Sequence, residues 1–383
     1  MSDPISLFIL AGEPSGDRIA AELVKGLKQR TNLQLSGVGG TALMAEGLSP
    51  IFPMADLSVM GFADVIKRLP KLFWRFGQAA RAVLAAKPDI VVLVDSQVFS
   101  AALAGRLRNH GYRGPILLYV SPAVWAWKPE RAPQLKKLFD EVLAVLPFEP
   151  EVMKRLGGPP TDYVGHPAIH HFPFRPALPE KGPLLLLPGS RNGEIARTLP
   201  MIRDTAQKLA GHSKITSFIL PTPKSLHSRM VAETAKWSVK VNVVSDEASR
   251  LAAFAEAIAA IAVMGTITLE LALAGVPMAT TYIGDTGQAR RFVKYQVKFA
   301  SLPNIVLDRA VVPELLLSEP DAGRLEETVR RVLDGEGVAE AQLAAFADLR
   351  TLMEKGAPEA PLTDPVGRVL DVLAKSQRST IGV

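Results

Sequence analysis

LLLLPGSRNGEI, residues 184–195, is the stretch on which the reading of this chain turns. Its apolar run, 184–187, breaks at Pro188 and Gly189; Ser190 and Arg191 follow, then Glu194 beside Ile195. This pattern predicts a buried strand that empties through a tight turn into a helix. The first N–H groups of such a helix lack intrahelical partners, and the helix dipole makes that end electropositive. Arg191 adds a permanently charged, forked donor. Together they suit a phosphate or diphosphate. A junction of the same shape that binds nothing is the plain alternative.

The same alternation extends in both directions. Strand-like runs at 7–11, 34–38, 90–94, 116–120 and 142–146 come before it, and runs at 217–220, 241–244, 259–263 and 278–281 come after, with helical patterns between them. This predicts an α/β protein with doubly wound parallel sheets covered by helices on both faces. The series restarts after GHPAIHHFPFRPALPEKGP, residues 165–183, where prolines stand at 167, 173, 176, 179 and 183 and periodicity is weak. The expected organisation is a first Rossmann-like domain over 1–166 and a Pro-rich linker over 167–183. A second Rossmann-like domain follows over 184–345, and helices over 346–383 return toward the first. Two such halves predict a ligand cleft facing the carboxyl ends of the strands.

The 383 residues are enough for about two domains. The absence of cysteine excludes disulfides, a thiolate nucleophile and thiolate metal sites. The opening MSDPISLFILAGEPSGD has no basic leader and only a short apolar run, so it reads as a first strand; no run approaches the ~18 apolar residues of a spanning helix. A cytoplasmic location is therefore expected. The net charge of +6 favours an anionic partner, whether nucleic acid, acidic lipid or a phosphorylated metabolite.

Polar groups gather where strands end. After the first strand come Gly12, Glu13, Pro14, Ser15, Gly16 and Asp17; two glycines allow close backbone approach, and the acids face the sheet's carboxyl edge. The dinucleotide pattern G-x-G-x-x-G is absent, which disfavours a nicotinamide enzyme. Ser15 or Asp17 as a helix cap is the structural alternative. The third strand delivers Asp95, where desolvation would suit a general base; its alternative is also a helix cap. Trp125 and Trp127 share one post-strand loop, either walling a pocket or filling the core. In the second half Gly265 and Thr266 open a helix with Glu270 one turn along. A nucleoside diphosphate over that helix start would meet amides and Thr266 at its phosphates and Glu270 at its ribose hydroxyls. No histidine cluster has metal-ligand spacing.

One helix carries a different message. From Pro70, residues Leu72, Phe73, Phe76, Ala79, Ala80 and Val83 form the expected core stripe, with Lys71, Trp74, Gln78 and Arg81 opposite. A tryptophan among cations is typical of a membrane-surface patch, and Val59, Met60, Gly61 and Phe62 offer further apolar candidates, with Lys67 and Arg68 adding charge. A solvated basic face with one stray aromatic is the alternative. No aromatic–basic module supports nucleic-acid binding.

Taken in order, AGEPSGD (11–17), SVMGF (58–62), VDS (94–96), YVSPAVWAWKPER (119–131), LPFEP (146–150), GHP (165–167), LPGSRNGEI (187–195), GTITLE (265–270) and LPN (302–304) resemble the lipid-A-disaccharide synthase family, inverting glycosyltransferases of GT-B architecture. The resemblance implies transfer of 2,3-diacylglucosamine from its UDP donor to the 6-hydroxyl of 2,3-diacylglucosamine 1-phosphate, giving the β-1,6 disaccharide and UDP. It assigns donor binding to Gly189, Ser190, Arg191, Gly265, Thr266, Glu270 and Asn304. It makes Asp95 the base and Arg191 the group that offsets leaving-group charge, with no metal or cofactor expected. Glu13, Ser15 and Asp17 fall on the acceptor side. Acylated substrates imply that the patch of Lys71, Trp74 and Arg81 meets the anionic cytoplasmic face of the inner membrane; a homodimer is compatible. The chain departs from the family at Gln97, Val98 and Ser100 after Asp95, at Met264 and at Leu317. The first three lie near the acceptor, so an altered acceptor, or a non-catalytic lipid- or nucleotide-binding protein on this fold, are the alternatives.

Overall fold

Five-residue runs such as IVVLV and AAIAV are buried along their whole length, the pattern of strands covered on both faces. The computed structural model describes residues 4–57, 62–284 and 298–381. It divides into two compact units, Met1–His166 with Lys355–Val383, and Pro167–Glu354.

In the first unit six parallel strands, β1 (Ile5–Ala11), β2 (Leu33–Val38), β3 (Ile90–Val94), β4 (Ile116–Tyr119), β5 (Glu141–Ala144) and β6 (Thr161–Tyr163), lie in the order β2-β1-β3-β4-β5-β6. The chain steps from β1 outward to β2, then returns to the other side of β1 at β3. The carboxyl ends of β1 and β3 therefore flank the point where winding reverses, the position at which open α/β sheets leave a crevice.

The second unit repeats the plan. Strands β7 (Gly182–Leu187), β8 (Ile215–Pro221), β9 (Val241–Val244), β10 (Ala259–Val263), β11 (Met278–Ile283) and β12 (Glu314–Leu317) form a parallel sheet in the order β12-β11-β10-β7-β8-β9. Its reversal lies between β7 and β10.

The second unit ends within the helical C-terminal stretch. Position 346 falls inside the helix Val338–Lys355, and the first unit resumes at Lys355. A two-residue hairpin, Gly356–Ala357 with Ala360–Pro361, then interrupts the helices before Pro365–Ile381. That last helix is tied to the first sheet by Arg368, whose guanidinium reaches both oxygens of buried Glu141 at 3.0 and 2.6 Å and Asp162 at 3.1 Å. Gly26 permits the close approach, since a Cβ there would lie 2.6 Å from Val366 Cγ2.

Candidate active site

The reversal point of the second sheet gathers most of the donor residues named above. β7 runs into the helix Asn192–Lys208, and β10 runs into the helix Thr266–Leu273. Gly189 turns the chain at φ +99°, where a Cβ would press to 2.9 Å from Glu194 Oε2, so the position needs glycine. Ser190, Arg191, Gly265 and Thr266 are all exposed. Arg191 Nη1 donates to Glu194 Oε1 at 3.0 Å, which holds the guanidinium over the helix start. A second cation, which the sequence does not flag, stands there too: Arg229 Nη1 donates to Asn192 Oδ1 at 2.7 Å from the helix His227–Thr234. Glu270, one turn into its helix, receives Arg250 Nη1 at 3.1 Å.

Asn304 takes a different place. It is buried, and its amide is in use at both ends: Nδ2 donates to Val312 O and Glu314 Oε1, while Oδ1 accepts from Val311 and Val312 N–H. Its amide braces the turn before β12.

At the reversal point of the first sheet the chemistry is acidic and the backbone strained. Asp95 and Ser96 both adopt left-handed conformations, φ +55° and +46°. Such residues cost on the order of 1–3 kcal/mol each and cluster at functional sites. Asp95 N–H donates to Tyr119 O at 2.9 Å, and Ser100 Oγ donates to Asp95 O at 2.8 Å, so neighbouring elements hold the strained turn. Gly12 makes room for it: a Cβ at that position would lie 2.2 Å from Ser96 Oγ. Gly16 faces Val94 and Asp95 at ordinary contact distance, a Cβ there standing 3.5 Å from Val94 Cγ1, so the helix Pro14–Lys28 packs against the same turn. Gly12 thus lets the turn that bears Glu13 lie against the turn that bears Asp95. Glu13 and Ser15 are exposed, and neither provides a side-chain cap to that helix.

Asp17 is buried beneath. Its carboxylate accepts from Gly40 N–H at 2.7 Å, Ala42 N–H at 2.9 Å and Leu43 N–H at 3.3 Å, capping the helix Thr41–Ala45. The helix-cap alternative holds for Asp17, on a neighbouring helix rather than its own.

The tryptophan loop after β4 is pinned from below by the glutamate of LPFEP, to which the motif reading gives no role of its own. Trp125 Nε1–H donates to Glu149 Oε1 at 3.3 Å, and Leu146 N–H donates to Oε2 at 3.1 Å. Glu149 is buried, and desolvation pushes its carboxyl up to about 8 against the pull of those two donors. Trp125 also meets Phe148 edge to face at 5.3 Å, while Trp127 lies under Lys128 and Arg131.

The helix Phe62–Ala86 is exposed over its middle section. Phe73 is 69% and Trp74 56% exposed, while Ala79, Ala80 and Val83 are buried. Phe73 thus leaves the expected core stripe, because along 70–83 full burial begins only at Gly77. Lys71 and Arg75 both pair with Asp56, at 2.5 and 2.7 Å, and Lys71 foremost holds that carboxyl below the usual range. Arg75 lies over the Trp74 ring at 4.3 Å, and Arg81 is exposed. Residues 58–61, with Val59, Met60 and Gly61, lie outside the described residues, and so do the side chains of Phe62, Lys67 and Arg68. Among the described residues no helix is long and apolar enough to cross a membrane.

A family model described as lipid-A-disaccharide synthetase matches residues 7–360. The lipid-A-disaccharide synthase of Nitrobacter hamburgensis is 38% identical over 389 residues, covering 98% of this chain and 96% of its own. That of Bradyrhizobium diazoefficiens is 38% identical over 385 residues, covering 97% of each. Among solved structures, S. aureus MnaA with UDP aligns at TM-score 0.59 and 14% identity, over 89% of this chain and 91% of its own. MurG of Acinetobacter baumannii aligns at 0.56 and 15%, over 97% and 100%. The calicheamicin glycosyltransferase CalG4 aligns at 0.60 and 16%, over 98% and 99%. At such identities the structural likeness speaks for the fold, the GT-B architecture of two Rossmann-like units.

Proposed function

The chain belongs to the lipid-A-disaccharide synthase family and is a glycosyltransferase of lipid A biosynthesis; from that premise we propose that its second unit holds the UDP end of a UDP-2,3-diacylglucosamine donor and its first unit the acceptor, 2,3-diacylglucosamine 1-phosphate. One observation carries this reading: each sheet places a different chemistry at its winding reversal, anion donors in one and carboxylates in the other.

The diphosphate lies against the amides at Gly189, Ser190 and Thr266, with Arg191 at its charged oxygens. Glu270 accepts from the ribose hydroxyls, and Asn304 supports that wall from behind. Asp95 takes the proton of the acceptor's 6-hydroxyl as its oxygen bonds to the donor's anomeric carbon from the face opposite the diphosphate. The bond to the diphosphate breaks, and UDP leaves with the electron pair. Inversion yields the β-1,6 linkage. Arg191 stabilises the charge that grows on the leaving group. Glu13 and Ser15 orient acceptor hydroxyls, and Asp17, beneath them, ties their helix to the helix Thr41–Ala45.

Phe73 and Trp74, rimmed by Lys71, Arg75 and Arg81, form the face that contacts an anionic leaflet and its acylated substrates. Trp74→Ser with Lys71→Glu lowers co-sedimentation with anionic vesicles several-fold while UDP affinity stays unchanged; equal sedimentation removes that role. For the reaction itself, incubation with both acylated sugars releases UDP and forms a disaccharide. Folded protein that turns over neither substrate pair nor donor alone contradicts the substrate assignment.

A further inference from the structure

Glu270 is held by a residue that lies twenty positions away in sequence and outside every motif named above. Arg250, on the helix Glu247–Glu256, donates from Nη1 to Glu270 Oε2 at 3.1 Å, and its other nitrogen stands 3.9 Å from Glu247 Oε1. The guanidinium is itself fixed. It lies over the ring of Phe172 at 5.2 Å, and Phe172 is stacked on Phe254, at 5.3 Å and 17° between planes. Both rings are buried, and Phe254 follows Arg250 by one helical turn. The carbonyl of Phe172 accepts from Arg350 Nη1 at 2.7 Å, and the same nitrogen reaches the Leu273 carbonyl at 3.0 Å. Leu273 is the last residue of Glu270's own helix. The plate under Arg250 is therefore anchored to the element whose carboxylate Arg250 grips.

We propose that Arg250 is a positioning residue for donor recognition: stacked on Phe172, it fixes the Glu270 carboxylate in the orientation that accepts from the ribose. This rests on the assignment of Glu270 to the ribose. A glutamate on an exposed helix start samples several rotamers, and ordering them on binding costs affinity. A planar guanidinium can stack on a ring by its face while donating from its edge, so the orientation is prepared before the ligand arrives. An ammonium does neither as well.

The test is calorimetric titration of the full-length protein with UDP, 2′-deoxy-UDP and 3′-deoxy-UDP. Arg250→Met keeps the aliphatic stem and removes the fork. It weakens UDP binding about tenfold, the worth of one charge-assisted hydrogen bond. It also shrinks the preference for UDP over whichever deoxy analogue the wild type rejects, and raises the donor KM with kcat within about twofold. Arg250→Lys falls between the two, which a general loss of fold would not produce. Glu270→Gln separates the layers. If it leaves the ribose preference intact, the assignment of Glu270 fails, and this inference with it. If it abolishes the preference while Arg250→Met preserves it, only the role of Arg250 is overturned.

Discussion

The two sheets are wound alike, yet their reversal points are chemical opposites. Between β7 and β10 the turns expose backbone amides, hydroxyls and Arg191; between β1 and β3 they offer Glu13 on extended backbone and Asp95 on left-handed backbone. On the proposed donor side the special backbone conformations fall on glycines, Gly189 and Gly265, and amides with a helix dipole already favour an anion there. The proposed acceptor side holds strain at Asp95 and Ser96 and gives up a side chain at Gly12 to bring its turns together. The shared topology provides a crevice in each half, and the residues that line it decide what each crevice handles.

The sharpest way to break that division is to remove one charge from each side. Asp95→Asn lowers turnover by roughly 10²–10⁴-fold, the scale of a lost general base. Arg191→Ala lowers it by roughly 10²–10³-fold, as for a lost donor to developing negative charge. Steady-state UDP release measures both, and a wild-type rate in either variant removes that residue's role.

The units also differ in continuity. The first is completed by a helix from the far end of the chain, whereas the second is contiguous. Arg368→Met leaves buried Glu141 without its cation, and breaking such a pair costs about 3–5 kcal/mol. Denaturant titration with probes in each half detects the loss in the first unit. Equal destabilisation of both units contradicts the division.

A smaller effect concerns Glu149, the buried acid under the acceptor-side tryptophan loop. Its carboxyl stands at about 8 in the folded protein against an ordinary 4.5, so the folded state keeps a proton that the unfolded chain releases. Its contribution to stability is complete below the lower value and is lost as pH rises toward the upper one. Glu149→Gln cannot titrate. It loses one acceptor at a cost of ~1 kcal/mol at every pH and flattens that part of the slope. Melting temperatures of the two proteins converge as pH rises from the lower value and then cross, with Glu149→Gln the more stable near the upper one. A constant gap means that Glu149 does not titrate there.

Most of the sheet plan was legible because fully buried strands leave unbroken apolar runs. β6 and β12 were missed: Thr161–Tyr163 is too short and polar to stand out, and Glu314–Leu317 sits at an edge with Leu316 exposed. The reversal-point turns were legible from Gly, Ser, Arg and Asp at strand ends. Their supports were not, because Arg250 with Glu270, Trp125 with Glu149 and Arg368 with Glu141 join residues that only the fold brings together. Asp17 and Asn304 show the converse. Their types and positions look like ligand contacts, and the geometry commits Asp17 to backbone amides and Asn304 to backbone groups and the Glu314 carboxylate. Phe73 has the right period for the core but stands exposed, and burial along its helix begins only at Gly77.

The division of labour is tested most directly by titrating UDP into Asp95→Asn and Arg191→Ala side by side. It predicts wild-type affinity for the inactive Asp95→Asn protein and a loss of about tenfold or more for Arg191→Ala, the worth of at least one charge-assisted contact. Weakened binding in Asp95→Asn with full binding in Arg191→Ala would contradict it.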